Sequence, residues 1–206
     1  MAKAPDQTRR NPHSTEAILR ASLELAQEHG WAKVSIDGIA ARAGVSKRTI
    51  YRWWPSKGAV VLDAYVQRIQ HTPLMTPQPT PHGDIRTDLV RLVKDGWIQT
   101  VGDSATLVAS LIGEAQHDPH LGTQLWEHFI TPANKSVMER ISLGQDEGEL
   151  APGVDPYRAT ELIYGQIFVR LLQTPDAVDA PFLENCVDLA LSGLSPSRPA
   201  PESESS

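Results

Sequence analysis

The 206-residue sequence predicts an all-α protein, and three observations carry that reading. Apolar residues recur at helical spacing, prolines and glycines fall between those stretches, and β-branched alternation over strand length is absent. No proline stands between Pro12 and Pro55 or between Pro81 and Pro119, which leaves room for long helices. About nine helices are expected. Hydrophobic residues at 40% and charged residues at 21% fit a soluble globular chain. No transmembrane segment is expected, and the basic N-terminus lacks the apolar stretch that a secretory signal requires. A cytoplasmic protein with no membrane partner follows.

Taken in order, residues 14–29 carry Ile18, Ala21, Leu25 and Ala26 on one face and end at Gly30, which accepts positive φ. Ser35 caps a short helix with Ile36, Ile39, Ala40 and Ala43 inward, closed by Gly44. Ser46 caps a third over residues 47–54, with Ile50 and Trp54 inward, and Pro55 stops it because the residue before proline avoids the α region. Ser56 caps a fourth through Tyr65 and Ile69. Pro73, Pro77, Pro79 and Pro81 make residues 72–83 a connecting loop. Ile85, Leu89, Leu92, Val93 and Trp97 stripe the next helix, and residues 105–115, apolar nearly all round, predict a buried central helix. A long helix over 120–143 should kink near His128, whose carbonyl loses its donor to Pro132. Asp155-Pro156, and Asp179 with Pro181, are start signals for helices through Gln173 and over 182–194. The division expected is a flexible arm (1–13), a helix-turn-helix head (14–60), a ligand-binding and dimerisation body (61–195) and a disordered Pro/Ser/Glu tail (196–206).

The net charge of −6 conceals a reversal of sign along the chain. Residues 1–60 hold ten Lys/Arg and five Asp/Glu, and residues 61–206 hold nine and twenty, so a +5 head precedes a −11 body. That asymmetry points to a polyanionic partner for the head. Two short helices joined by Gly44-Val45-Ser46 behind a longer one match the helix-turn-helix arrangement, whose second helix enters the major groove of double-stranded DNA. With Ile50 and Trp54 inward, Lys47, Arg48, Tyr51 and Arg52 face outward. Lys and Arg pair with guanine O6 and N7, while Ser, Thr and Tyr hydroxyls hold phosphates. Ser35 and Ser56-Lys57 stand at helix N-termini, where backbone amides favour a phosphate. Ser46, at the start of the recognition helix, joins the DNA-contacting set.

Val34-Ser35-Ile36, Ile39-Ala40-Ala41-Arg42-Ala43-Gly44-Val45-Ser46 and Thr49-Ile50-Tyr51-Arg52-Trp53-Trp54-Pro55-Ser56-Lys57 together resemble the signature of the tetracycline-repressor (TetR) family, over roughly residues 14–65. Gly113-Glu114-Ala115-Gln116-x-Asp118-Pro119, and Gly148-Glu149-Leu150 to Asp155-Pro156, resemble the C-terminal ligand-binding domain of one TetR subgroup. The resemblance implies that Ser35, Thr49, Trp53 and Lys57 contact phosphates, and that Lys47, Arg48, Tyr51 and Arg52 meet bases or nearby backbone. Trp53 replaces a frequent His or Tyr of the family, and Lys47-Arg48 is more basic than in many members. A homodimer through the last two long helices is implied as well, with Ile163, Ile167 and Leu171 on one and Phe182, Cys186, Val187, Ala190, Leu191 and Leu194 on the other as its material. The family further implies a small-molecule effector whose binding in the body weakens the grip on DNA. Trp97, Leu107, Leu111, Trp126, Phe129, Met138, Tyr164 and Phe168 are the expected pocket walls, with Gln116, His128 and Gln166 as polar anchors. Few basic residues lie on those helices, so the expected effector is mainly apolar or aromatic. The combined expectation is a repressor acting as a homodimer on a near-palindromic operator.

No metal, cofactor or catalytic residue is expected. Glu114-Ala115-Gln116-His117 has the Glu-x-x-His spacing of di-iron helices but occurs once, and the single Cys186 excludes an intrachain disulfide or a cysteine-based cluster. No Gly-x-Ser-x-Gly elbow or phosphate-cradling glycine loop is present. Two alternatives stand beside the ligand-responsive regulator: a DNA-binding protein whose body docks another protein, and a helical ligand-binding enzyme.

Overall fold

The computed structural model describes residues 11–70 and 83–194. The arm up to residue 10, most of the proline-rich loop and the tail lie outside the described residues. Among the described residues there are ten α-helices and no strand. They are α1 (Pro12–His29), α2 (Ile36–Ala43), α3 (Lys47–Tyr51), α4 (Lys57–Gln70), α5 (Ile85–Thr100), α6 (Ala105–Ala115), α7 (Pro119–Leu125), α8 (Thr131–Asp146), α9 (Pro156–Gln173) and α10 (Ala180–Leu194). A π-helical turn, Trp126–Ile130, joins α7 to α8 without a break, so nine separate rods result.

Local capping explains most boundaries. Asn11 accepts from the His13 amide at 3.1 Å and Pro12 presets the first turn, so α1 takes in Pro12 and His13, which the sequence reading left in the arm. Ser35 accepts from the Gly38 amide and Ser46 from the Thr49 amide. Gly44 closes α2 in the left-handed region at φ 66°. Asp118 accepts from the His120 and Leu121 amides and starts α7 at Pro119; Asp155 and Asp179 cap α9 and α10. The recognition helix ends at Tyr51, three residues short of the expected Trp54, because the chain must leave the α region ahead of Pro55.

The described residues pack as two compact units, 11–70 with 99–132, and 83–98 with 133–194. In the first, α1 packs on α2 and α4, with Ile18, Ile39, Ile50, Val60 and Val61 almost wholly buried. Gly58 on α4 is required by close approach: a Cβ there would stand 2.6 Å from Leu121 Cδ2. The Ser56 hydroxyl caps α4 through the Ala59 amide and donates to Asp118 at 3.2 Å, so one contact ties two helix N-termini together. Buried Tyr65 donates to the Thr100 carbonyl, receives the edge of Phe129 and lies under the Arg68 guanidinium. Burial pushes its hydroxyl up to about 12. α6 departs from the expected buried rod, since it buries one stripe, Ala105, Val108 and Leu111, and leaves Thr106 and Gly113 exposed.

In the second unit, Leu89 and Val93 of α5, Val137 and Ile141 of α8, Ile163 and Ile167 of α9, and Leu183 and Val187 of α10 form one core. Buried Arg140 pairs with Asp88 at 2.9 Å and Glu149 at 2.7 Å, and Glu149 also accepts the Ile85 amide, which joins α5, α8 and the turn after α8. Arg86 forks onto Asp188, and Lys94 pairs with Glu184, across α5 and α10.

Candidate DNA-binding face and the cleft beside it

The recognition helix is held from below by Ile50, wholly buried, and by Trp54, whose indole N–H donates to Asp63 of α4 at 2.9 Å. Arg42 forks onto Glu28 at 2.7 Å through both nitrogens, which latches α2 to α1 and holds the Glu28 carboxyl below its ordinary value. The outward side chains are therefore presented from a packed three-helix base. Ser35, Ser46, Lys47, Arg48, Tyr51 and Arg52 are exposed, and Thr49, Trp53 and Lys57 are half-buried at its margin.

Several of these side chains already have partners in the chain. Lys47 reaches Asp37 in the first turn of α2 at 2.9 Å, and that hydrogen bond raises its pKa. The Ser46 and Thr49 hydroxyls lie 2.9 Å apart. Lys57 sits 4.4 Å above the ring of Trp31, and Arg52 lies 5.2 Å from the ring of Trp53. Stacking keeps a long cation close to one position while leaving its charge available to a phosphate.

A concavity of about 670 Å³ opens between the start of α1 and α3, with Asn11, Ser14 and Thr15 on one side and Thr49, Tyr51 and Trp53 on the other. Its amide and hydroxyl groups suit a sugar-phosphate strand. The α1 residues were missed by sequence reasoning, although Asn11-Pro12 is itself a cap-and-proline start signal.

The expected pocket residues are divided between the two units. Leu107, Leu111, Gln116, Trp126, His128 and Phe129 belong to the first unit, and Trp97, Met138, Tyr164, Gln166 and Phe168 to the second. Leu111 and Phe129 are core residues, while Trp126 is 46% exposed. Three residues apart on an α-helix share a face. The π-helical turn opens that spacing, so Trp126 turns outward while Phe129 packs inward. His128 lines a second cleft, between α4 and the end of α7. Tyr164, whose hydroxyl burial pushes up, approaches the Ala133 carbonyl at 3.5 Å. Gln166 bonds the Leu162 carbonyl at 2.8 Å.

Most of the residues expected at the dimer contact are buried within their own chain. Ile163, Ile167, Leu171, Val187 and Leu194 are 3% exposed or less, and Leu191 is half-buried against the same core. They face neighbouring helices of their own chain. The apolar residues that α9 and α10 leave in the open are Leu162, Val169, Leu172 and Leu189, each more than half exposed.

A family model described as bacterial regulatory proteins, tetR family, matches residues 18–64, and one described as the tetracyclin repressor-like C-terminal domain matches residues 79–190. The chain belongs to the TetR family. It is 32% identical over 185 residues to the uncharacterized HTH-type transcriptional regulator YdeS of Bacillus subtilis strain 168, covering 90% of this chain and 91% of that one. It is 28% identical over 144 residues to the DNA-binding transcriptional repressor TetR of Mycobacteroides abscessus, covering 68% and 72%. The crystal structure of the TetR family transcription regulator SCO0332 superposes with a TM-score of 0.66 at 31% identity, over 89% of this chain and all of that one. The protein is thus a DNA-binding transcriptional regulator of this family, and its relatives and fold are those of regulators rather than enzymes. Among the described residues no three His, Cys, Asp or Glu side chains gather as a metal site, and no helix is long and apolar enough to cross a membrane.

Proposed function

We propose that the protein is a homodimeric repressor whose α3 reads a near-palindromic operator and whose hold on DNA is released by a small molecule with an apolar or aromatic body. The observation that carries this reading is the exposed row of Lys47, Arg48, Tyr51 and Arg52 above a base locked by Ile50 and Trp54. In this proposal Arg48, Tyr51 and Arg52 meet base edges and adjacent backbone in the major groove. Ser35, Ser46, Thr49, Trp53 and Lys57 fix register on the phosphates. Lys47 exchanges Asp37 for a phosphate when DNA arrives.

Dimerisation supplies the second half-site, and the surface that supports it is the apolar face of Leu162, Val169, Leu172 and Leu189. Repression is supported by the relative from Mycobacteroides abscessus, which is named a repressor. Binding to a duplex selected from a random library by the purified protein tests the reading. Affinity should fall by orders of magnitude between low and moderate salt as phosphate counterions are released. Equal affinity for the selected and scrambled duplexes would refute sequence reading.

A further inference from the structure

Trp31 belongs to the short turn between α1 and α2 and is half-buried. The turn is held at both ends: the Gly30 amide donates to the Ala26 carbonyl at 3.0 Å, and the amide of buried Val34 donates to the Trp31 carbonyl at 3.1 Å. Lys57 is held as firmly, in the first turn of α4, which Ser56 caps through the Ala59 amide and which packs as a helix against α1. From these two fixed backbones the Lys57 ammonium stands 4.4 Å from the centre of the Trp31 ring, inside the range of a cation–π contact. Lys47, Lys94 and Lys135 pair with carboxylates, whose charge opposes theirs. Among the described residues no carboxylate pairs with Lys57. A ring holds an ammonium without cancelling its charge, and the ammonium has three N–H donors to offer.

We propose that Trp31 is a positioning residue for DNA: its ring holds the Lys57 ammonium where a backbone phosphate meets it, so that indole, ammonium and phosphate stack in the complex. The proposal rests on the reading of Lys57 as a phosphate contact and adds a residue outside the exposed row of α3. It differs in kind from the Lys47–Asp37 pair, which must open before Lys47 meets a phosphate. The Trp31–Lys57 contact persists when DNA is bound. Its gain is that a long, flexible side chain is ordered before DNA arrives, worth about 2–10-fold in affinity per chain. The gain is the same for every duplex, because phosphates carry no sequence.

Fluorination tests this, since ring fluorines withdraw π density while nearly preserving the shape of the indole. Tryptophans with one, two and three ring fluorines are placed at position 31 alone. Affinity for the selected duplex and for a random one is then read by fluorescence anisotropy across a salt series. It should fall stepwise with each fluorine, equally on both duplexes, to a total of about 2–10-fold. The salt slope should not change, because the same phosphates are neutralised. Trp31→Leu, which keeps an apolar side chain but no π face, should show the full loss. In Lys57→Ala, or in Lys57→Gln if that variant does not fold, the series should be flat. An affinity that ignores fluorination, rises with it, or falls as steeply without Lys57 would overturn the proposal. Lys57→Ala in the unfluorinated protein separates the two levels. If it weakens both duplexes while fluorination of the wild type has no effect, the positioning role alone fails. If it changes neither affinity nor salt slope, the phosphate contact of Lys57 fails and the role of Trp31 falls with it.

Discussion

The recognition helix and the α9–α10 pair rest on equally well packed cores but show opposite chemistry to solvent. α3 buries Ile50 and presents Lys47, Arg48, Tyr51 and Arg52; α9 buries Ile163, Ile167 and Leu171 yet presents Leu162, Val169 and Leu172. Water accommodates the first surface, and a polyanion gains by displacing counterions from it. The second exposes large apolar side chains, which gain by burial against a partner. Burial in this protein identifies what holds each unit together, and exposure identifies what each unit meets.

The strongest test of that comparison sets neighbouring residues of α9 against each other. Ile163→Asp buries an unpaired carboxylate at a cost of several kcal/mol, comparable with the ~5–15 kcal/mol that stabilises a typical domain. It should abolish cooperative melting. Leu162→Asp should melt near the wild-type temperature but sediment as a single chain; loss of folding in both variants would break the distinction.

In the first unit, the Tyr65 hydroxyl supplies a pH test. Its folded value of about 12 lies above the ordinary 10.0. The stability it contributes is complete below pH 10 and is lost as pH rises toward 12, where the unfolded chain ionises first. The loss should reach about 2–3 kcal/mol over that window, and Tyr65→Phe should flatten it in alkaline denaturation curves.

On the exposed side of the comparison, Arg48→Ala should relax base preference at one operator position by about 1–3 kcal/mol, whereas Lys57→Ala should weaken all duplexes alike and make the salt dependence shallower. Equal losses on specific and random DNA for Arg48→Ala would remove its reading role. The smallest effect is expected from Asp37→Asn. Freeing Lys47 from an exposed pair should raise affinity for every duplex slightly, and fluorescence anisotropy on random DNA would detect it.

Features governed by neighbouring residues were legible before any coordinates. Ser35, Ser46, Asp155 and Asp179 cap where the sequence places them, and Gly30 and Gly44 adopt positive φ, because a cap depends on the next three residues and little else. Pro132 marked a disturbance near His128, and the chain absorbs it as a π-helical turn whose change of phase no single-sequence periodicity carries. That is why Trp126 and Phe129 were expected together and are apart. The outward face of α3 was readable because the helix is amphipathic, with polar and apolar residues on different sides. α9 and α10 carry apolar residues on both sides, so periodicity finds two faces and cannot say which one the chain itself buries. Ile163 and Val187, expected on the outer side, lie in the core of their own unit, and Leu162, Val169 and Leu172 are exposed.

The central claim is that the polar face of α3 and the exposed apolar face of α9 and α10 act together, two chains gripping one operator. Hydroxyl-radical footprinting on the selected duplex, with wild-type protein and with the Leu162→Asp/Leu172→Asp variant, tests it most directly. Wild type should protect two symmetry-related half-sites. The variant, folded by circular dichroism and monomeric in the ultracentrifuge, should lose that paired protection at the same concentration. A dimeric variant with an unchanged symmetric footprint, or a wild-type footprint confined to one half-site, would contradict the account.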